Sequence, residues 1–166
     1  MSMLGAILTP HPPVLLPEVG HGREQDISAT AEAMRTAARQ AAQWNPDVLV
    51  IASPHTILYG DYFHISPGED AIGDMSAFGA PEVHIHVQYD TALREEIIRR
   101  AEKAGLRAGT LGERDAALDH GVLIPLYFLR KAGLTCPIVR MGLSGFSPLA
   151  HYQLGQCVAE AAEALG

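Results

Sequence analysis

The chain has 166 residues, 48% of them apolar and 19% charged, the proportions of one globular domain rather than a disordered segment. A domain of this size buries roughly 70% of its unfolded-chain surface and needs no disulfide staples. Lys and Arg number 12 against 19 Asp and Glu, a formal charge of -7, which argues against nucleic acid or an anionic membrane surface as the main partner. Cys136 and Cys157 make neither a disulfide framework nor a zinc-ribbon spacing. No Lys or Arg precedes the short N-terminal apolar run, so it does not read as a secretory signal. No apolar run approaches the roughly 20 residues of a membrane span. The expectation is a soluble, cytoplasmic protein.

In chain order, residues 3–9 read as a buried strand and residues 10–23 as a loop rich in Pro and Gly. From Glu24 to Trp44 apolar residues recur at helical spacing: Ile27, Ala31, Met34, Ala38, Ala41. Asn45 and Pro46 stop that helix. Residues 47–52 read as a second buried strand, completing a strand–helix–strand crossover of a parallel sheet. Residues 62–66 suit a short strand, and residues 67–82, with two prolines and three glycines, a loop. The alternation of "VHIHVQY", residues 83–89, predicts a strand with one polar face. Asp90 caps a helix with the face Leu93, Ile97, Ala101, Ala104, closed by Gly105. A short extended piece spans 107–111. Residues 119–131 read as a helix, with Pro125 expected near its first turn, where a missing N–H is tolerated. "CPIVRMGL", residues 136–143, is a strand, and Ser147 caps a last helix with Pro148 at its first position. The fold class is α/β: a mainly parallel sheet flanked by helices on both faces, in three layers. Residues 1–166 form a single domain. A helix after a strand ordinarily leads to another strand, so the expectation is that this domain lacks its C-terminal part.

Two short stretches share one plan. "ILTPHPP", residues 7–13, sets His11 among three prolines after an apolar run, and "VLVIASPHT", residues 48–56, sets His55 behind Pro54 after another. Ligands of parallel α/β sheets gather beyond the carboxyl ends of strands, and both histidines fall there. Proline fixes its own φ and extends the residue before it, so such loops can aim two imidazoles at one point. Neutral imidazole is the commonest metal-ligating side chain. A third stretch, "LDHGVLIPLYFL", residues 118–129, places His120 between Asp119 and Gly121 at the mouth of an apolar helix. A helix N-terminus disfavours a protonated imidazole, so His120 suits a base.

"TPHPP", "SPH" and "DHGVLIPL", in this order and with these flanks, resemble the catalytic subunits of the class III extradiol ring-cleavage dioxygenases. "SAFGAPE", residues 76–82, resembles the loop that family carries before its following strand. The likeness runs over nearly the whole chain. It is nearest the branch that includes Memo-like proteins and the AmmeMemoRadiSam group. The resemblance implies a non-haem Fe(II) site with O2 as co-substrate and a small aromatic diol, a catechol, as substrate. It makes His11 and His55 metal ligands. His120 becomes the acid/base that takes a catechol proton and later assists ring cleavage, with Asp119 orienting it. Two histidines and a carboxylate with open positions are the mark of Fe(II) oxygenases. The family's third ligand comes from a segment beyond the last helix, and nothing here matches it. Glu18, Asp61 and Glu82 are carboxylates in plausible loops that no motif singles out.

Other residues offer less. His84 and His86 read as a polar sheet face, His21 is an outside candidate ligand, and His64 and His151 carry no signal. "GLSGF", residues 142–146, lacks the serine-hydrolase spacing. Cys157 reads as packing. Two functions stand: an iron-dependent extradiol dioxygenase subunit or domain, and a non-catalytic Memo-like accessory or interaction domain using the same pocket. A homo-oligomer or a partner subunit is compatible with either.

Overall fold

The structure is a computed structural model and describes residues 3–166. A short helix α1 (Pro17–Gly20) and a 3-10 turn (Arg23–Ile27) lead into α2 (Ser28–Trp44). Strands β1 (Leu49–Ser53), β2 (Phe63–His64), β3 (Asp70–Met75) and β4 (Ala80–Gln88) precede α3 (Thr91–Lys103). Then come β5 (Ala108–Gly109), α4 (His120–Lys131), β6 (Ile138–Gly142) and α5 (Pro148–Ala164). The α/β class stands, with helices on both faces. The pairing comes as three two-stranded ladders: β1–β6 and β2–β5 parallel, and the β3–β4 hairpin antiparallel. Isolated bridges from Ile65 to Met141 and from Tyr89 to Ile138 tie the ladders together around β6.

Every residue of β6 is buried, as an apolar central strand requires. Successive side chains point to opposite faces. Ile138 therefore joins the core of α2, α4 and the β3–β4 hairpin, while Val139 and Met141 join that of α3, α5 and β2. Arg140 alternates with Val139 and Met141 and is 2% exposed. The helical faces are those the periodicity predicts, except that Ala104, expected on the face of α3, is its exposed C-cap. Ala31, Met34, Ala38 and Ala41 are buried on α2, and Leu93, Ile97 and Ala101 on α3.

Several expectations are corrected. Residues 3–9 form no strand and are mostly exposed, Leu8 completely. Apolar character alone cannot make a strand without a neighbour to accept its backbone bonds. The strand–helix–strand crossover disappears with it, and β1 instead pairs with β6, far along the chain. The expected loop at 67–82 contains β3 and the start of β4. In β3 the buried positions are Ala71, Gly73 and Met75, and the first two are too small to give an alternating apolar signal. Pro125 lies inside α4, six residues into the helix rather than in its first turn. The carbonyl it would crowd four residues back is that of Gly121.

Candidate metal centre

Three loops converge at one end of the β1–β6 ladder. His11 is held by Pro10, Pro12 and Pro13, and the chain behind it is anchored by Leu15 and Leu16, at 1% and 0% exposure. His55 follows β1 in a turn where its backbone N–H donates to Ser53 Oγ at 3.2 Å. His120 opens α4 behind Asp119, whose side chain caps the helix by accepting from Gly121 N at 2.8 Å. The segment before α4 is docked on the hairpin through Leu118 N, which donates to Ile72 O at 3.1 Å. Gly73 makes this approach feasible, since a Cβ there would run into the Leu118 backbone.

The imidazoles meet. His11 Nε2 and His55 Nε2 lie 2.9 Å apart, with the rings edge to face at 86°. The His55 and His120 rings lie 3.9 Å apart, tilted by 37°, and those of His11 and His120 5.8 Å apart. One ligand atom from each histidine lies within 4.8 Å of the others. Phe78 stands edge-on to His120 at 5.2 Å and is partly exposed. Burial lowers the His120 pKa below the ordinary imidazole range, and the neighbouring His55 lowers it further.

This donor set could hold a metal ion. Two metal–imidazole bonds of about 2.1 Å at a right angle put their nitrogens about 3.0 Å apart, which the His11–His55 separation of 2.9 Å matches.

Asp119 does not bond the His120 ring. Its Oδ1 accepts from Ser53 Oγ at 2.6 Å and from Gly121 N, and its Oδ2 faces Arg140 Nη2 at 3.4 Å. None of the carboxylates weighed as a third ligand joins the cluster. Glu18 accepts from Tyr127 Oη at 3.1 Å, and burial and that carboxylate push the phenol pKa up to about 12. Asp61 pairs with Arg107 at 2.7 Å on the surface, and Glu82 is exposed on β4. His21 caps α1 in a left-handed conformation and is not part of the cluster. His86 pairs with Asp70 at 2.8 Å and His84 bonds the Glu82 carbonyl, both on an exposed hairpin face. Cys157 is packed, at 5% exposure.

Ser53, Phe78, Arg140 and His64 were not singled out by sequence reasoning. Arg140 did carry a signal, as the one charge in the apolar strand "CPIVRMGL". His64 is fully buried with neither ring nitrogen partnered, 3.9 Å from Glu113. Burial, and then the charge of Arg140, hold its pKa low, while burial raises that of Glu113.

Clustered imidazoles beyond a strand end of an α/β domain stand where ligands of such sheets gather, and these three could hold a metal ion. The sequence profile described as the catalytic LigB subunit of aromatic ring-opening dioxygenase matches residues 5–165. The chain belongs to that family. It is also similar to Protein CA_C1420 of Clostridium acetobutylicum, 30% identical over 173 residues that cover 99% of this chain and 37% of that protein. The chain thus spans well under half the length of that relative. No helix among the described residues is long and apolar enough to cross a membrane.

Proposed function

We propose that this chain carries the catalytic site of a non-haem Fe(II)-dependent extradiol dioxygenase that opens catechol-type rings. The observation that carries the reading is the convergence of His11 and His55, whose ligand nitrogens lie 2.9 Å apart with rings nearly perpendicular. His11 and His55 would hold Fe(II), which would supply open positions for a catechol and for dioxygen. His120 lies against the face of His55 rather than converging edge-on with it, which favours a proton-transfer role over a third ligand. From there its imidazole takes the proton of a catechol hydroxyl, directly or through one water. The partly exposed edge of Phe78 beside His120 gives an aromatic substrate a wall to pack against.

One observation favours the alternative of a Memo-like accessory or interaction domain. Among the described residues the cluster holds three imidazoles and no carboxylate. Two imidazoles leave the remaining positions to water, so iron held by this chain alone is easily lost. Anaerobic Fe(II) titration followed by oxygen uptake with simple catechols separates the two. Stoichiometric iron and catechol-dependent oxygen uptake, in this chain or in a longer product containing it, support the dioxygenase. Binding of neither iron nor catechol in either form moves the assignment to the accessory domain.

A further inference from the structure

Beneath the imidazoles lies a polar linkage that metal binding by itself does not require. Ser53, the last residue of β1, is 0% exposed. Its hydroxyl donates to Asp119 Oδ1 at 2.6 Å and accepts from the His55 backbone N–H at 3.2 Å. The same carboxylate oxygen accepts from Gly121 N at 2.8 Å. One hydroxyl and one carboxylate oxygen therefore join the backbone of His55 to the turn that carries His120. The other oxygen of Asp119 faces Arg140 Nη2 at 3.4 Å, and Arg140 Nη1 donates to the Ala116 carbonyl at 3.3 Å. A helix cap needs only the N–H groups of its own first turn. Here the cap also takes a hydroxyl from another element, 66 residues away in sequence. The approach is tight, since a Cβ on Gly121 would collide with Ser53 Oγ and lie 3.0 Å from His55 Cδ2.

We infer that Ser53 and Arg140 are positioning residues of the metal centre: acting through Asp119, they fix the separation and tilt of the His55 and His120 rings. Ser53 ties the strand end to the helix cap. Arg140, buried and cationic, keeps the carboxylate turned so that Oδ1 faces both donors. The consequence for metal affinity rests on the metal-centre reading above. The consequence for ring geometry does not.

The test has three readouts on the full chain. In the metal-free protein, imidazole NMR resonances and ring-to-ring contacts of His55 and His120 report the geometry. A Co(II) titration followed by its visible spectrum reports affinity and ligand field. Thermal melting reports stability. Ser53→Ala is expected to shift the ring resonances of both histidines, weaken Co(II) binding roughly tenfold or more, as loss of a partner behind a metal ligand does, and alter the spectrum. Arg140→Lys, which keeps the charge but loses the guanidinium fork, is expected to move the same readouts in the same direction and less far. Val139→Ala, a buried neighbour on β6 at 1% exposure, is expected to lower the melting temperature only. If Ser53→Ala melts lower but keeps wild-type ring resonances and Co(II) spectrum, the linkage is structural and the inference is overturned. If Ser53→Ala does not fold, unchanged ring resonances in Arg140→Lys overturn it equally. If wild-type protein binds no Co(II), the metal reading fails, while the ring resonances still decide the positioning role.

Discussion

At the scale of single residues, the three clustered histidines differ in what their rings touch. His11 and His55 bring nitrogens together at 2.9 Å, whereas His120 lies against the face of His55. In a longer product containing this chain, His11→Ala and His55→Ala are each expected to abolish stoichiometric Fe(II) binding. His120→Ala is expected to keep the iron and lose turnover, checked by metal analysis beside oxygen uptake. Loss of iron in His120→Ala would instead make His120 a ligand. Phe78→Ala removes an aromatic wall worth about 0.5–1.5 kcal/mol. It is expected to weaken catechol binding several-fold, read from ligand-induced difference spectra. The histidines were legible in sequence because proline and strand-end contexts repeat around His11 and His55. Ser53 stood in view in "SPH" without declaring its role, because a hydroxyl's partners are decided by what packs over it.

At the scale of elements, the N-terminus of α4 governs the site. A Cβ at Gly121 meets Ser53, Asp119 and His55 at once. Gly121→Ala is therefore expected to cost ~1–3 kcal/mol from overpacking, seen as a lower urea midpoint, with weaker metal binding. Gly155, within α5, has nothing within 4 Å of the same position. Gly155→Ala is expected to raise stability by ~0.5–1 kcal/mol in the same assay. The four long helices were legible because their apolar faces repeat at 3.6 residues and three of them open on the caps Asp90, Asp119 and Ser147. The strands were less so. β3 hides behind alanine and glycine, and the apolar run at 3–9 resembles a strand yet pairs with nothing among the described residues.

At the scale of the whole molecule, a second buried polar group sets the response to acid. His64 is fully buried, and burial and Arg140 hold its pKa below the unfolded value of about 6.5. The unfolded chain therefore takes up a proton that the folded one refuses. Stability is full above that unfolded value and is lost as pH falls towards the lower folded one. His120, also shifted down, acts with the same sign. Glu113 acts oppositely: burial raises its pKa, so its contribution is lost as pH rises above its unfolded value of about 4.3. Urea midpoints are expected to fall between pH 7.5 and 5.5, and to fall less in His64→Gln. An equal slope in that variant would remove His64 from the account.

The sequence by itself determined the helices, the α/β class, the family and the three histidines, because each is written in local pattern: periodicity, capping residues, or proline beside histidine. Tertiary structure decided the rest. It paired β1 with β6 rather than with residues 3–9, since a strand exists only where another backbone accepts its bonds. It bonded Asp119 to Ser53 and set it facing Arg140, and it buried His64. Those outcomes depend on contacts between residues tens of positions apart, and a hydrogen-bond donor or a buried charge has no partner until the chain has folded around it.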